Sequence, residues 1–217
     1  MTADLFACFP AVRASREQMA EGAVLLRDFV GRTEAALIAA LREIVAAAPF
    51  RRMHTPGGHQ MSVAMTNCGT AGWVTDRSGY RYRPDDPETG KPWPAMPSLL
   101  RELAGRAAES GGFSNFAPDV CLINRYVPGA RMSLHQDKDE LDFTAPIVSV
   151  SLGLPAIFMF GGLKRTDKPG RFRLEHGDVA VWGGPSRLYY HGVAPLAEGN
   201  HPVMGPQRLN LTFRKIR

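Results

Sequence analysis

From Asp119 onward the chain is a succession of short apolar runs cut by glycine and proline turns. The runs read VCLINRYV, APIVSVSLG, AIFMFGG, RFRLE, DVAVWGG, RLYYHGV and QRLNLTFRK. The turn signals between them include Pro128-Gly129, Gly161-Gly162, Gly177-Asp178 and Gly183-Gly184. Each run has the length of a strand rather than of a helix. Many short strands at this spacing argue for a sandwich or jelly roll.

What precedes the strand series has a different period. Ala23–Phe29 reads as a first strand and residues 1–20 as an irregular lead-in. Residues 33–48 read as a helix, with Thr33 placed to cap it and Leu37, Leu41, Ile44 and Val45 on one face before Pro49. A second helix is expected over 98–109, with Leu99, Leu100, Leu103 and Ala107 inward and Gly111 past its end. The segment 50–95 lacks a helical period; it carries Gly57-Gly58, the strand-like QMSVAMTNC, and Trp73, Tyr80 and Tyr82 among Arg77, Arg81 and Arg83. Surface hairpins and loops fit that composition. Trp93 lies between prolines and is expected to pack beneath this segment, while Trp182 reads as core. The expected architecture is mainly β with α (α+β): a double-stranded β-helix, or jelly roll, braced by N-terminal helices.

A length of 217 residues suits one domain. Its expected parts are an extension and helix over 1–49, a lid over 50–95 and the jelly roll over 119–217. The net charge of +5 suits an anionic partner such as nucleic acid. Cys8, Cys68 and Cys121 are odd in number and form no CxxC pair. They point away from a disulfide framework and toward a reducing cytoplasm. Neither a signal peptide nor a bilayer-length apolar run is apparent. No heptad or broad apolar face stands out, so a monomer is expected.

Two constellations carry chemistry. In His135-Gln136-Asp137, residues two apart on an extended segment project to the same side and can reach one metal ion. His191, on a later strand, supplies a third ligand. Two imidazoles and a carboxylate leave coordination positions open, as non-haem Fe(II) needs for a cosubstrate and O2; catalytic zinc can use a similar set. The second constellation is Arg208-Leu209-Asn210-Leu211-Thr212-Phe213-Arg214, polar and apolar in alternation. It is either a surface strand wetted on one side or a strand presenting arginine forks to a carboxylate ligand. Asn124 and Tyr126 share one face of another run and add an amide and a phenol.

These residues sit in segments that resemble the AlkB family of DNA dealkylating dioxygenases. The segments are MSVAMTNCG, GKPWPAMP, CLINRYVPGARMSLHQDKDE, PIVSVSLGLPAIFMFGGLKR, LEHGDVAVWGG and RLNLTFR, spanning Phe50 to Arg214. The HxDxD and RxNxxxR patterns together are highly specific. The resemblance implies a jelly roll with a nucleotide-recognition lid, and Fe(II), 2-oxoglutarate and O2 as cofactor and cosubstrates. It makes His135, Asp137 and His191 the iron ligands. Asn124, Tyr126, Arg208, Asn210 and Arg214 become the 2-oxoglutarate contacts, with Arg214 on the distal carboxylate and Arg208 near the iron-chelating end. Trp73 would stack on a flipped base opposite His135. Tyr80, Arg81 and Tyr82 would hold the nucleotide backbone, Asp139 would meet the base's exocyclic amine, and Arg165 would lie near the substrate. The implied activity is oxidative demethylation of N-alkylated bases such as 1-methyladenine and 3-methylcytosine. The implied partner is alkylated single-stranded DNA, with RNA left open.

Two other functions compete. A 2-oxoglutarate oxygenase acting on a protein side chain or small molecule would keep the metal trio and arginines, but would not need Trp73, Tyr80–Tyr82 or Asp139. A non-catalytic jelly-roll binding module would need no intact metal trio.

Overall fold

The computed structural model describes residues 15–217. Cys8 and most of the expected lead-in lie outside them. The described part of that lead-in is not irregular: Arg16–Ala20 forms strand β1, paired antiparallel to β2 (Ala23–Leu26). REQMA carries no apolar alternation because an edge strand needs only backbone partners.

Helix α1 spans Glu34–Ala47 and buries Leu37, Ile38, Leu41 and Ile44. Thr33 does not cap it through its side chain; the hydroxyl donates back to the Val30 carbonyl at 2.6 Å. Strand β3 (Ala64–Gly69) follows, then the hairpin β4 (Gly72–Asp76) and β5 (Gly79–Arg83). Helix α2 runs Ser98–Ser110 and buries Leu100, Leu103, Ala104, Ala107 and Ala108. The remaining strands are β6 (Val120–Tyr126), β7 (Met132–His135), β8 (Ile147–Gly153), β9 (Ala156–Phe160), β10 (Gly170–Leu174), β11 (Val179–Trp182), β12 (His191–Val193) and β13 (Arg208–Arg214).

Two sheets form the roll. The larger has the order β1-β2-β11-β8-β13-β6-β3, and the smaller β10-β9-β12-β7. Strand alternation sorts the larger sheet's side chains into two cores. On its outer face Val148, Val150, Cys121, Ile123, Leu209, Leu211 and Phe213 pack with the apolar stripes of both helices. On its inner face Leu25, Leu122, Tyr126, Ile147 and Trp182 meet Phe158, Phe160 and Val193 of the smaller sheet. Covered on both sides, β8 and β13 are buried along their whole length. The polar residues of β13 therefore point into the roll, not into water. Trp182 is core, as expected, and Trp93 is buried with its indole N–H donating to the Arg83 carbonyl at 3.1 Å.

Candidate metal and cosubstrate site

Strand pairing assembles the trio. The register of β12 against β7 places His191 opposite His135, and Asp137 follows two residues beyond the end of β7. Gly192 allows the approach: a β-carbon there would sit 2.6 Å from the Met132 carbonyl oxygen. One ligand atom from each of His135, Asp137 and His191 falls within a 4.8 Å group. The Nε2 of His135 lies 3.7 Å from Asp137 Oδ1, and the Nε2 of His191 lies 3.6 Å from Asp137 Oδ2.

The donor chemistry fits a metal. Each imidazole uses Nδ1 on a backbone carbonyl, His135 on Ser133 and His191 on Tyr189, both at 2.9 Å. A carbonyl only accepts, so Nδ1 carries the proton and Nε2 keeps its lone pair for the centre of the group. Asp137 Oδ2 is buried with no hydrogen-bond donor among the described residues. Burial alone would raise the Asp137 carboxyl; the Arg214 guanidinium overrides it and holds the group well below the ordinary carboxylate range. The side chain stays an anion, as a ligand must.

The trio opens into a cavity of about 410 Å³. Asn124, Tyr126, Arg208, Asn210 and Arg214 line it, as do Trp73, Tyr80, Asp139 and Arg165. Along its floor Asn124 Nδ2 donates to Asn210 Oδ1 at 3.2 Å, and Asn210 Nδ2 donates to Ser149 Oγ at 2.7 Å. Arg208 is almost wholly buried, lies over the Tyr126 ring and donates from Nη2 to Ser151 Oγ at 3.0 Å. Its Nε and Nη1 find no acceptor among the described residues, and neither does Asn124 Oδ1 find a donor. Buried polar atoms without partners are costly, so the two Arg208 donors mark where an anionic group would be held and Asn124 Oδ1 where a donor would be.

The two arginines of β13 take different partners. Arg214 Nη2 donates to Asp137 Oδ1 at 2.7 Å, which sets it beside the metal trio. Arg208, six residues earlier on β13, meets Ser151 and keeps unpartnered donors.

At the rim, Trp73 stacks on Tyr80 with ring centroids 5.5 Å apart, and Trp73 Nε1 donates to Asp139 Oδ2 at 2.8 Å. Tyr80, Asp139 and Arg165 are exposed there. Two residues grouped with them in sequence are not brought into the cavity. Arg81 forks onto Asp76 at 2.9 and 2.6 Å, and Tyr82 bonds with Glu140 and Arg214 behind the cavity wall. Alternation on β5 explains Arg81, whose side chain leaves the strand opposite to Tyr80 and Tyr82.

Sequence reading passed over four residues. Ser149 and Ser151 carry the polar side of IVSVSLG, an alternation like that of RLNLTFR. Arg187 and Glu140 form a buried ion pair at 3.1 Å, and Arg187 Nη1 also donates to the Asp137 carbonyl at 2.7 Å. Nothing in their spacing announces that pair.

Residues 22–214 match the family model of the 2OG-Fe(II) oxygenase superfamily. The alpha-ketoglutarate-dependent dioxygenase AlkB of Escherichia coli (strain K12) is 60% identical over 200 residues, 92% of this chain and 93% of that protein. The chain belongs to the AlkB family of 2OG-Fe(II) oxygenases. Among more distant AlkB-type relatives, the DNA N(6)-methyladenine demethylase ALKBH1C of Arabidopsis thaliana is 36% identical over 68% of this chain and 38% of its own length. The solved structure of OsALKBH1 superposes with a TM-score of 0.81 at 28% identity, covering 92% of this chain and 99% of that one. This AlkB-family chain is therefore a jelly-roll dioxygenase that uses Fe(II), 2-oxoglutarate and O2, and its His135-Asp137-His191 trio can hold the iron.

Proposed function

We propose that the protein removes N-linked methyl groups from nucleic-acid bases, 1-methyladenine and 3-methylcytosine among them, in single-stranded DNA, with RNA as a second substrate. The observation that carries this reading is the shared cavity: an aromatic platform, Trp73 on Tyr80, and a carboxylate, Asp139, open onto the same space as the metal trio. A methyl on N1 of adenine or N3 of cytosine makes the base cationic and blocks its pairing edge. Such a base is easier to unstack and extrude. Trp73 would hold its face and Asp139 would complement its charge. Arg165, exposed at the rim, suits a backbone phosphate.

His135, Asp137 and His191 would hold the iron, which when bound supplies O2 activation coupled to 2-oxoglutarate decarboxylation. Arg208, which lines the cavity and has unpaired donors, would receive the distal carboxylate of 2-oxoglutarate. Asn124, Tyr126 and Asn210 line the same pocket, and Arg214 fixes Asp137. The products are succinate and CO2 from the cosubstrate, and formaldehyde from the hydroxymethyl adduct that the oxidised base sheds. The protein's part is orientation, charge and exclusion of water. The reading takes residues 22–214 as one catalytic unit, with the segment around β4 and β5 as its lid.

A panel of methylated and unmethylated oligonucleotides, single- and double-stranded, DNA and RNA, tests the assignment. Formaldehyde release from methylated strands alone is the expected result. Turnover only with peptides or free small molecules would overturn it.

A further inference from the structure

Besides the Trp73–Asp139 bond at the rim, the β4–β5 hairpin reaches the metal trio through Arg214. The Arg214 fork spans two acceptors: Nη2 reaches Asp137 Oδ1 at 2.7 Å and Nη1 reaches the Tyr82 hydroxyl at 3.0 Å. That hydroxyl donates in turn to Glu140 Oε1. The other Glu140 oxygen accepts from Arg187 Nη2 at 3.1 Å, and Arg187 Nη1 returns to the Asp137 carbonyl at 2.7 Å. The bonds close a ring: Asp137, Arg214, Tyr82, Glu140, Arg187 and back to Asp137. Four of its members are buried and belong to the roll or to the loops between its strands; Tyr82 alone comes from the hairpin.

Charge-assisted bonds in a buried, planar fork have one favoured geometry. A shift of the hairpin must therefore either break the ring at Tyr82 or turn the Asp137 carboxylate through Arg214. We propose that Tyr82 is a positioning residue through which the seating of the β4–β5 hairpin and the orientation of Asp137 at the metal are coupled. This rests on the metal reading of the trio but not on the identity of the substrate. Burial, opposed by Arg214 and reinforced by Glu140, keeps the phenol protonated far above neutral pH, so it remains a donor. By linkage, whatever orders Asp137 also quiets the hairpin, and a base held under Trp73 steadies the metal ligand.

The competing role is packing. Tyr82 also lies against Ala71, Val120 and Ile216, and that contact alone would anchor the hairpin if the hydroxyl were idle. Hydrogen exchange at amides 72–83, with and without Mn(II) in the absence of O2, separates the two in wild type and Tyr82→Phe. Coupling gives metal-induced slowing of about threefold or more in wild type and none in Tyr82→Phe. Tyr82→Phe still binds Mn(II), by electron paramagnetic resonance, with affinity weakened about three- to tenfold, less than a direct outer-shell loss. Equal slowing in both proteins overturns the coupling. Exchange raised by the same factor with and without metal assigns the hydroxyl to packing and also overturns it. Mn(II) bound to wild type without slowing removes the coupling alone; no bound Mn(II) removes the metal reading as well. Should Tyr82→Phe fail to melt cooperatively, Arg214→Lys keeps the charge but cannot span both acceptors, and the same loss of slowing is expected.

Discussion

The indole N–H of Trp73 donates to Oδ2 of Asp139 at 2.8 Å, tying the β4–β5 hairpin to the loop that carries Asp137. The bond leaves the ring face for stacking and the second carboxylate oxygen for a base. Base-on-aromatic stacking is worth about 1–3 kcal/mol. Trp73→Ala should weaken binding of a methylated oligonucleotide by about five- to a hundredfold. Trp73→Phe keeps a ring and loses only the N–H, so it should retain most of that affinity. Fluorescence anisotropy on folded preparations checks both; full affinity in Trp73→Ala removes the stacking role.

Arg208 supplies the second expectation. Its buried Nε and Nη1 have no acceptor among the described residues. Truncating one partner of a buried charged contact costs about 2–5 kcal/mol. Arg208→Ala should therefore weaken 2-oxoglutarate by about thirtyfold or more while oligonucleotide affinity holds. Calorimetric titration of both ligands decides it. If 2-oxoglutarate binds as before, its distal carboxylate lies elsewhere.

How far these sites were visible in the sequence depends on period two. Alternation in RLNLTFR separates Leu209, Leu211 and Phe213 from Arg208, Asn210, Thr212 and Arg214, but it is blind to which side faces water. Burial of the polar side follows only from the smaller sheet packing over that face, where Ser149 and Ser151 of β8 answer Asn210 and Arg208. His135 and Asp137 could be grouped from spacing, whereas His191 joins them through strand register. Arg81 could have been separated from Tyr80 and Tyr82 by the same alternation. The short β1 and β7 escaped notice because backbone pairing, not apolar pattern, defines them.

The outer face of β13 offers a test of the fold. Leu211 is fully buried among residues of both helices and the sheet, so Leu211→Ala should cost about 2–5 kcal/mol. Leu163, 60% exposed, should change stability by less than about 0.5 kcal/mol on the same substitution. Denaturant unfolding gives both values. Similar small losses at the two positions would place β13 at the surface.

His135→Ala and His191→Ala should each abolish turnover under saturating Fe(II), because three protein ligands leave none to spare. Cobalt(II) absorption provides a readout free of catalysis: the ligand-field bands should vanish or collapse toward those of the aqueous ion. Near-normal turnover in either variant would show that the trio is not the metal site.

The most direct measurement of the whole account is stoichiometry. The wild-type chain is incubated with Fe(II), 2-oxoglutarate, O2 and a single-stranded oligonucleotide bearing one 1-methyladenine, and succinate, formaldehyde and unmodified adenine are counted. Equal amounts of all three, with none of the adenine product when 2-oxoglutarate is withheld, is the expected result. Succinate formed while the methylated base remains intact would contradict base demethylation and leave only an oxygenase with another substrate.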